Sequence, residues 1–146
     1  MSATDAMQDI LVEGYAALFG AADLEGDVVI AGAFRDSLRR RAKPLPMLVQ
    51  HEQRLLAGVW DDIREDARGL YVRGRIAAAA PGAARARRLL AAGADGLSIG
   101  FVTLASEKLA RGRALLEIEL LEISIVMEPM QPLARLNFAR GLSRAA

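Results

Sequence analysis

Residues 114–127 read Ala-Leu-Leu-Glu-Ile-Glu-Leu-Leu-Glu-Ile-Ser-Ile-Val-Met, and this run decides the fold class. Its apolar residues fall on even positions at Leu116, Ile118 and Leu120, then on odd positions at Leu121, Ile123 and Ile125. Alternation with period two is the signature of a strand. A change of phase within one strand requires an extra residue, so a bulge or bend is expected near Leu120. One charge, Glu122, interrupts the second half. A carboxylate buried there is costly unless paired. An imidazole N–H would serve as its partner; an arginine partner, or a carboxylate turned to solvent, is the plainer alternative.

Strand signals continue on the N-terminal side. Leu97 to Leu104 reads as a strand carrying Gly96-Leu97-Ser98-Ile99-Gly100. Leu70, Val72, Gly74 and Ile76 alternate with Tyr71, Arg73 and Arg75, and pair as a hairpin with 57–63 around Asp66-Ala67-Arg68-Gly69. Residues 10–19 form a strand kinked at Gly14, Val28 to Ile30 a short one, and Met47 to His51 a buried type ending in His51. Two short helices are expected, one after Phe34 with Leu38 and Arg41 on its face, the other over 83–92 with Ala86, Leu89 and Leu90 inward and Arg85, Arg87 and Arg88 solvated. Pro129 and Pro132 end the long strand, and the tail beyond is expected to be loose. Many strands and few helices, without regular alternation, predict a mostly β chain of α+β type: a barrel or sandwich with helices packed outside.

The chain has 146 residues, which suits one domain spanning 1–146 with a core of its own. It has no cysteine and a single histidine, His51, so neither disulfides nor a zinc site is expected, and no cofactor. The net charge is +1, and the 19 basic residues are 17 Arg and two Lys, too balanced overall for a typical nucleic-acid binder. The Arg39–Arg41 and Arg85–Arg88 clusters read as solvated faces, with no specific nucleic-acid partner. No apolar run reaches membrane-spanning length, and Met1 to Asp9 carries acids but no basic residue, which a secretory signal would need. A cytoplasmic protein without a membrane partner is expected.

Three side chains stand out for chemistry. His51 can take and return a proton near neutral pH. Ser98, between glycines that allow close approach, becomes a nucleophile if a base takes its proton. Glu122 could fix the tautomer of that base. Each alone has an ordinary reading: a rim histidine, a turn-edge serine, a solvated glutamate. Glu52 is a poor substitute for Glu122, since in an extended strand it points away from His51.

The chain resembles the tailed-phage prohead proteases, including those of gene transfer agents. The resemblance is carried by Gly14-Tyr15-Ala16 with Phe19, Gly32-Ala33-Phe34, Leu48 to His51 with Gly58, Gly69-Leu70, Gly96 to Phe101, Leu121 to Val126, and Pro129. It covers roughly residues 10–136. That family is similar in fold to the herpesvirus assembly proteases, which implies a β-barrel surrounded by short helices and a homodimer. It implies a serine endopeptidase with Ser98 as nucleophile, His51 as base and Glu122 orienting the base, where the herpesvirus enzymes use a second His. The implied substrate is the major capsid protein or its scaffold segment, cut inside the assembling prohead, with self-cleavage besides. An arginine segment helps form the oxyanion hole in the herpesvirus enzymes; here the first arginine after Glu122 is Arg135, so those donors stay unassigned. The rival reading is a non-catalytic assembly scaffold or chaperone of the same fold, which has no need for the three residues to converge.

Overall fold

The computed structural model describes residues 8–142. Eight strands run in the order β1 (Asp9–Leu18), β2 (Val28–Val29), β3 (Leu45–Val49), β4 (Glu52–Glu65), β5 (Gly69–Ile76), β6 (Gly96–Lys108), β7 (Arg113–Val126) and β8 (Leu136–Leu142). Helix α1 (Arg35–Arg40) lies between β2 and β3, and α2 (Ala83–Ala91) between β5 and β6. All eight strands belong to one sheet, ordered β2-β7-β3-β4-β5-β1-β8, with β6 on β7. Its two ends approach each other at one point: Gly96 bridges to Arg135, Leu97 N–H donates to Ala134 O at 2.9 Å, and Leu136 N–H to Asp95 O at 2.7 Å. The sheet is therefore barrel-like, but its seam is not laddered throughout.

The inner face explains the apolar alternation. Val12, Trp60, Val72, Leu97, Ile118 and Ile125 are among the fully buried side chains. Trp60 buries its indole without losing a hydrogen bond, since Nε1 donates to Ile123 O at 3.1 Å. The kink expected at Gly14 is a register shift between Glu13 and Gly14, where a Cβ would lie 2.2 Å from Arg135 O. The hairpin turn is closed by Asp66, whose Oδ1 accepts the N–H groups of Arg68 and Gly69.

Strand β7 carries the expected bulge. Gly100 pairs with Glu122 and Phe101 with Leu120, so Leu121 is the extra residue. It is 49% exposed, while Leu120 and Ile123 on either side of the shift are buried. Helix α1 and its C-cap residue Arg41 supply partners beside the bulge. Leu120 N–H donates to Ser37 Oγ at 2.9 Å, and Arg41 Nη1 donates to Leu120 O at 3.1 Å. Backbone groups in a buried, irregular strand need such substitutes.

Five expectations need correction. The tail is not loose through 136–142: it forms β8 and pairs with β1, whose edge is otherwise open. Strand β4 begins at Glu52 rather than Ala57, and β3 stops at Val49, short of His51. The buried face of α1 includes Ser37, which its apolar spacing did not indicate. Arg87 is half-buried against the Gln8 carbonyl rather than solvated.

Candidate active site

Strand β7 organises the site. On one side it pairs in parallel with β3, setting Leu48 beside Ser124 and Val49 beside Ile125. Along the other it pairs antiparallel with β6, setting Ser98 opposite Ser124 and Gly100 opposite Glu122. Residues two apart on a strand share a face, so Ser98, Glu122 and Ser124 face the segment that follows β3.

That segment is a tight turn. Val49 pairs with Glu52, leaving Gln50 and His51 between them. Their φ values are 52° and 61°, in the left-handed region that side-chain-bearing residues enter at a cost. Positive φ at both central positions is the pattern of a type I′ hairpin turn, which favours Asn-Gly. Gln-His carries no such signal, which is why the sequence reading continued the strand through His51. Three bonds hold the turn to β7. Gln50 N–H donates to Ile125 O at 3.0 Å, His51 N–H to Ser124 Oγ at 3.0 Å, and Met127 N–H to Gln50 Oε1 at 2.9 Å. Backbone strain persists where surrounding structure over-determines it.

The turn brings the three candidate residues together. His51 Nδ1 lies 2.5 Å from Glu122 Oε2, and Nε2 lies 3.1 Å from Ser98 Oγ. Glu122 Oε1 accepts the Ser124 hydroxyl at 2.7 Å. Ser98 and Glu122 are buried, whereas the His51 side chain is 43% exposed. A carboxylate can only accept, so it fixes the proton of neutral His51 on Nδ1 and leaves the Nε2 lone pair for the Ser98 hydroxyl. The hydrogen bond to Glu122 raises the His51 pKa above its ordinary value; partial burial opposes this, and the charge of Glu122 adds to the rise. Glu52 is solvent-exposed; the strand parity expected to turn it from His51 does not apply, because His51 lies in the turn rather than in an extended strand.

The glycines around Ser98 serve the chain itself. A Cβ at Gly100 would fall 2.2 Å from Glu122 Oε2, and one at Gly96 would fall 2.7 Å from Pro129 Cδ. The gap at Gly100 is filled by the carboxylate, not kept for a substrate. An open cleft of about 440 Å³ lies over the site, walled by His51, Ser98, Val126, Met127, Glu128 and Met130. An apolar pocket bounded by Ala16, Ala17, Leu97, Ile99, Phe101 and Met130 also reaches Ser98. Arg135 does not line the cleft; its guanidinium bonds Asp95 at 2.6 Å and the Pro132 carbonyl at 2.9 Å. Sequence reasoning missed Ser124, the role of Gly100 and the 126–130 wall. The lone polar residue at 124, between Ile123 and Ile125, was the available signal for the first.

A hydroxyl, an imidazole and a carboxylate linked in that order, at the mouth of a cleft, form the arrangement of a serine hydrolase. The fold is shared with two solved viral proteases. The bacteriophage T4 capsid assembly protease superposes with a TM-score of 0.64 at 15% identity, covering 80% of each chain. The protease of Kaposi's sarcoma-associated herpesvirus (KSHV) superposes at 0.53 with 16% identity, over 82% of this chain and 60% of that one. At such identities the likeness is one of fold. In sequence, the family model described as Caudovirus prohead serine protease matches residues 1–144, and the chain belongs to that family. The prohead protease of Enterobacteria phage HK97 is 37% identical over 93 residues, 62% of this chain. The match spans 41% of that relative's length.

Proposed function

We propose that the protein is a serine endopeptidase that cleaves the major capsid protein, or a scaffold segment attached to it, during head maturation of a tailed phage or gene transfer agent. The observation that carries this reading is the linked geometry of Ser98, His51 and Glu122 in a chain of the prohead protease family. Ser98 Oγ attacks the scissile carbonyl while His51 Nε2 takes its proton. His51 returns that proton to the leaving amine, then activates the water that hydrolyses the acyl-enzyme. Glu122 holds Nδ1–H and stabilises the imidazolium formed at each step. Convergence of these groups favours a protease over a scaffold or chaperone of the same fold, which has no use for them.

Co-expression with the neighbouring capsid protein tests the reading. Intact mass is expected to reveal a capsid N-terminal truncation that disappears with Ser98→Ala. No truncation in either case, with shells assembling better when the chain is present, would support the scaffold instead. The reaction belongs inside the assembling prohead, and the protease is expected to clip itself as well. A homodimer is proposed by analogy with the KSHV protease, one structure of which holds a dimer disruptor; a strictly monomeric mass in light scattering at high concentration contradicts it.

The pH dependence follows from the hydrogen bond to Glu122. Catalysis needs neutral His51, so the rate is expected to rise with pH through a single ionisation. Because the pKa is raised, the midpoint should lie above the ordinary value of about 6.5. A midpoint below that value in the kcat/KM profile contradicts the pairing. Stability runs the other way: the pair's contribution is fully present below the unfolded pKa and is lost as pH rises through the folded one.

The Gly100 contact gives a further expectation. Gly100→Ala must displace the Glu122 carboxylate, since the added Cβ would meet Oε2 at 2.2 Å. Misplacing a catalytic group by about 1 Å can cost about 100-fold in rate. A loss of that order in kcat, with the circular dichroism spectrum retained, is the expected result.

A further inference from the structure

Within this site Ser124 has a place that the three-residue chemistry does not use. It is the residue between Ile123 and Ile125 on β7, and its relative exposure is 0%. Both neighbours are fully buried apolar side chains. A hydroxyl in such surroundings must be satisfied, or it costs stability. Here it makes two bonds to two different catalytic candidates. Its proton goes to Glu122 Oε1 at 2.7 Å, and its oxygen receives the His51 main-chain N–H at 3.0 Å. Neither direction is ambiguous, because a carboxylate can only accept and an N–H can only donate.

We propose that Ser124 is a positioning residue that ties the Glu122 carboxylate and the His51 main chain into one unit, so that Oε2 stays aimed at Nδ1. This rests on the triad reading above. Two motions are blocked at once. Rotation of the carboxylate would break the bond at Oε1. Relaxation of His51 from its φ of 61° would break the bond at its N–H. The register explains why residue 124 has this role. It lies opposite Ser98 on β6 and beside Leu48 on β3, under the turn that carries the imidazole. Of the ionisable groups near the ring, Glu52 follows it in the chain and Glu128 lines the same cleft; Glu122 is the one bonded to Ser124.

Because His51 is the only histidine, its imidazole can be titrated by ¹H–¹⁵N NMR without assignment of competing signals. In Ser124→Ala the His51 pKa is expected to fall toward the ordinary value, because the carboxylate is less well held. The Nδ1–H resonance should broaden through faster exchange. Fluorophosphonate labelling of Ser98 should slow by about 10- to 100-fold, the scale seen when groups that orient a functional ligand are removed. A merely structural hydroxyl would alter thermal stability and leave the titration unchanged. Ser124→Cys, close in size but a weak donor, is expected to fall between wild type and Ser124→Ala, and serves the same comparison if the alanine variant does not fold. Wild-type titration and labelling in either folded variant overturns the proposal. Glu122→Gln, run in parallel, separates the two levels. If it too leaves His51 unchanged, the triad reading fails; if it alone shifts the titration, only the role of Ser124 fails.

Discussion

His51→Ala is expected to slow cleavage by about 10⁶-fold, close to the loss from removing the nucleophile itself. With no imidazole 3.1 Å from Ser98 Oγ, nothing in the described site takes the proton as the hydroxyl attacks. A serine hydroxyl that keeps its proton is a weak nucleophile. The effect should not add to that of Ser98→Ala, because the two groups act as one unit. The double variant is therefore expected to match either single one, measured by the accumulation of truncated capsid protein over time. Additive losses would mean that His51 acts on something other than Ser98. His51 is partly exposed and sits in a turn at the cleft rim, so its removal leaves the core packing intact, but it takes the partner from the buried Glu122 carboxylate, and a folded protein with a lowered thermal midpoint is expected.

Glu122→Gln is expected to cost about 10⁴-fold, and for a more specific reason. The amide nearly matches the carboxylate in shape, and its oxygen can still accept the Ser124 hydroxyl, as Oε1 now does. The NH₂ group then takes the place of Oε2, 2.5 Å from Nδ1. An NH₂ donates, so Nδ1 must accept, and the imidazole proton moves to Nε2. That tautomer points a proton at Ser98 and cannot receive one. Two measurements check this: kcat/KM should fall by the stated amount, and ¹⁵N shifts of His51 should report protonation at Nε2. The His51 pKa should also fall, since the bond that raises it is lost. A Glu122→Gln enzyme with nearly full activity would show that the carboxylate only fills space.

The parts of this arrangement that were legible in the sequence depend on local pattern. The phase change across Leu120 and Leu121 predicted the bulge; Ile118, Leu120, Ile123 and Ile125 are buried as that pattern required, whereas Leu116 and Leu121, counted in the same phases, are exposed. Glu122 stood out as a charge in an apolar strand, and its partner proved to be an imidazole. The alternation over 69–76 marked the β4–β5 hairpin. What stayed hidden depends on contacts between distant segments. The parallel pairing of β3 with β7 joins residues 47–49 to 123–125, and no periodicity within either strand reveals it. The Gln50-His51 turn lacks the usual Asn-Gly signal because bonds to β7, not intrinsic preference, hold its backbone. Residues 136–142 follow Pro129 and Pro132 and read as a loose tail, and they form a strand because β1 offers them an edge. Gly100 looked like room for a substrate, since only the fold reveals that a carboxylate occupies the space.

The central claim is that Ser98 is a nucleophile activated by His51. The most direct test treats the purified protein with a fluorophosphonate and maps the adduct by peptide mass spectrometry. The account predicts one modified residue, Ser98, labelled faster as pH rises through the His51 ionisation, with labelling lost in His51→Ala. An adduct elsewhere, or labelling of Ser98 that is indifferent to His51 and to pH, would contradict it.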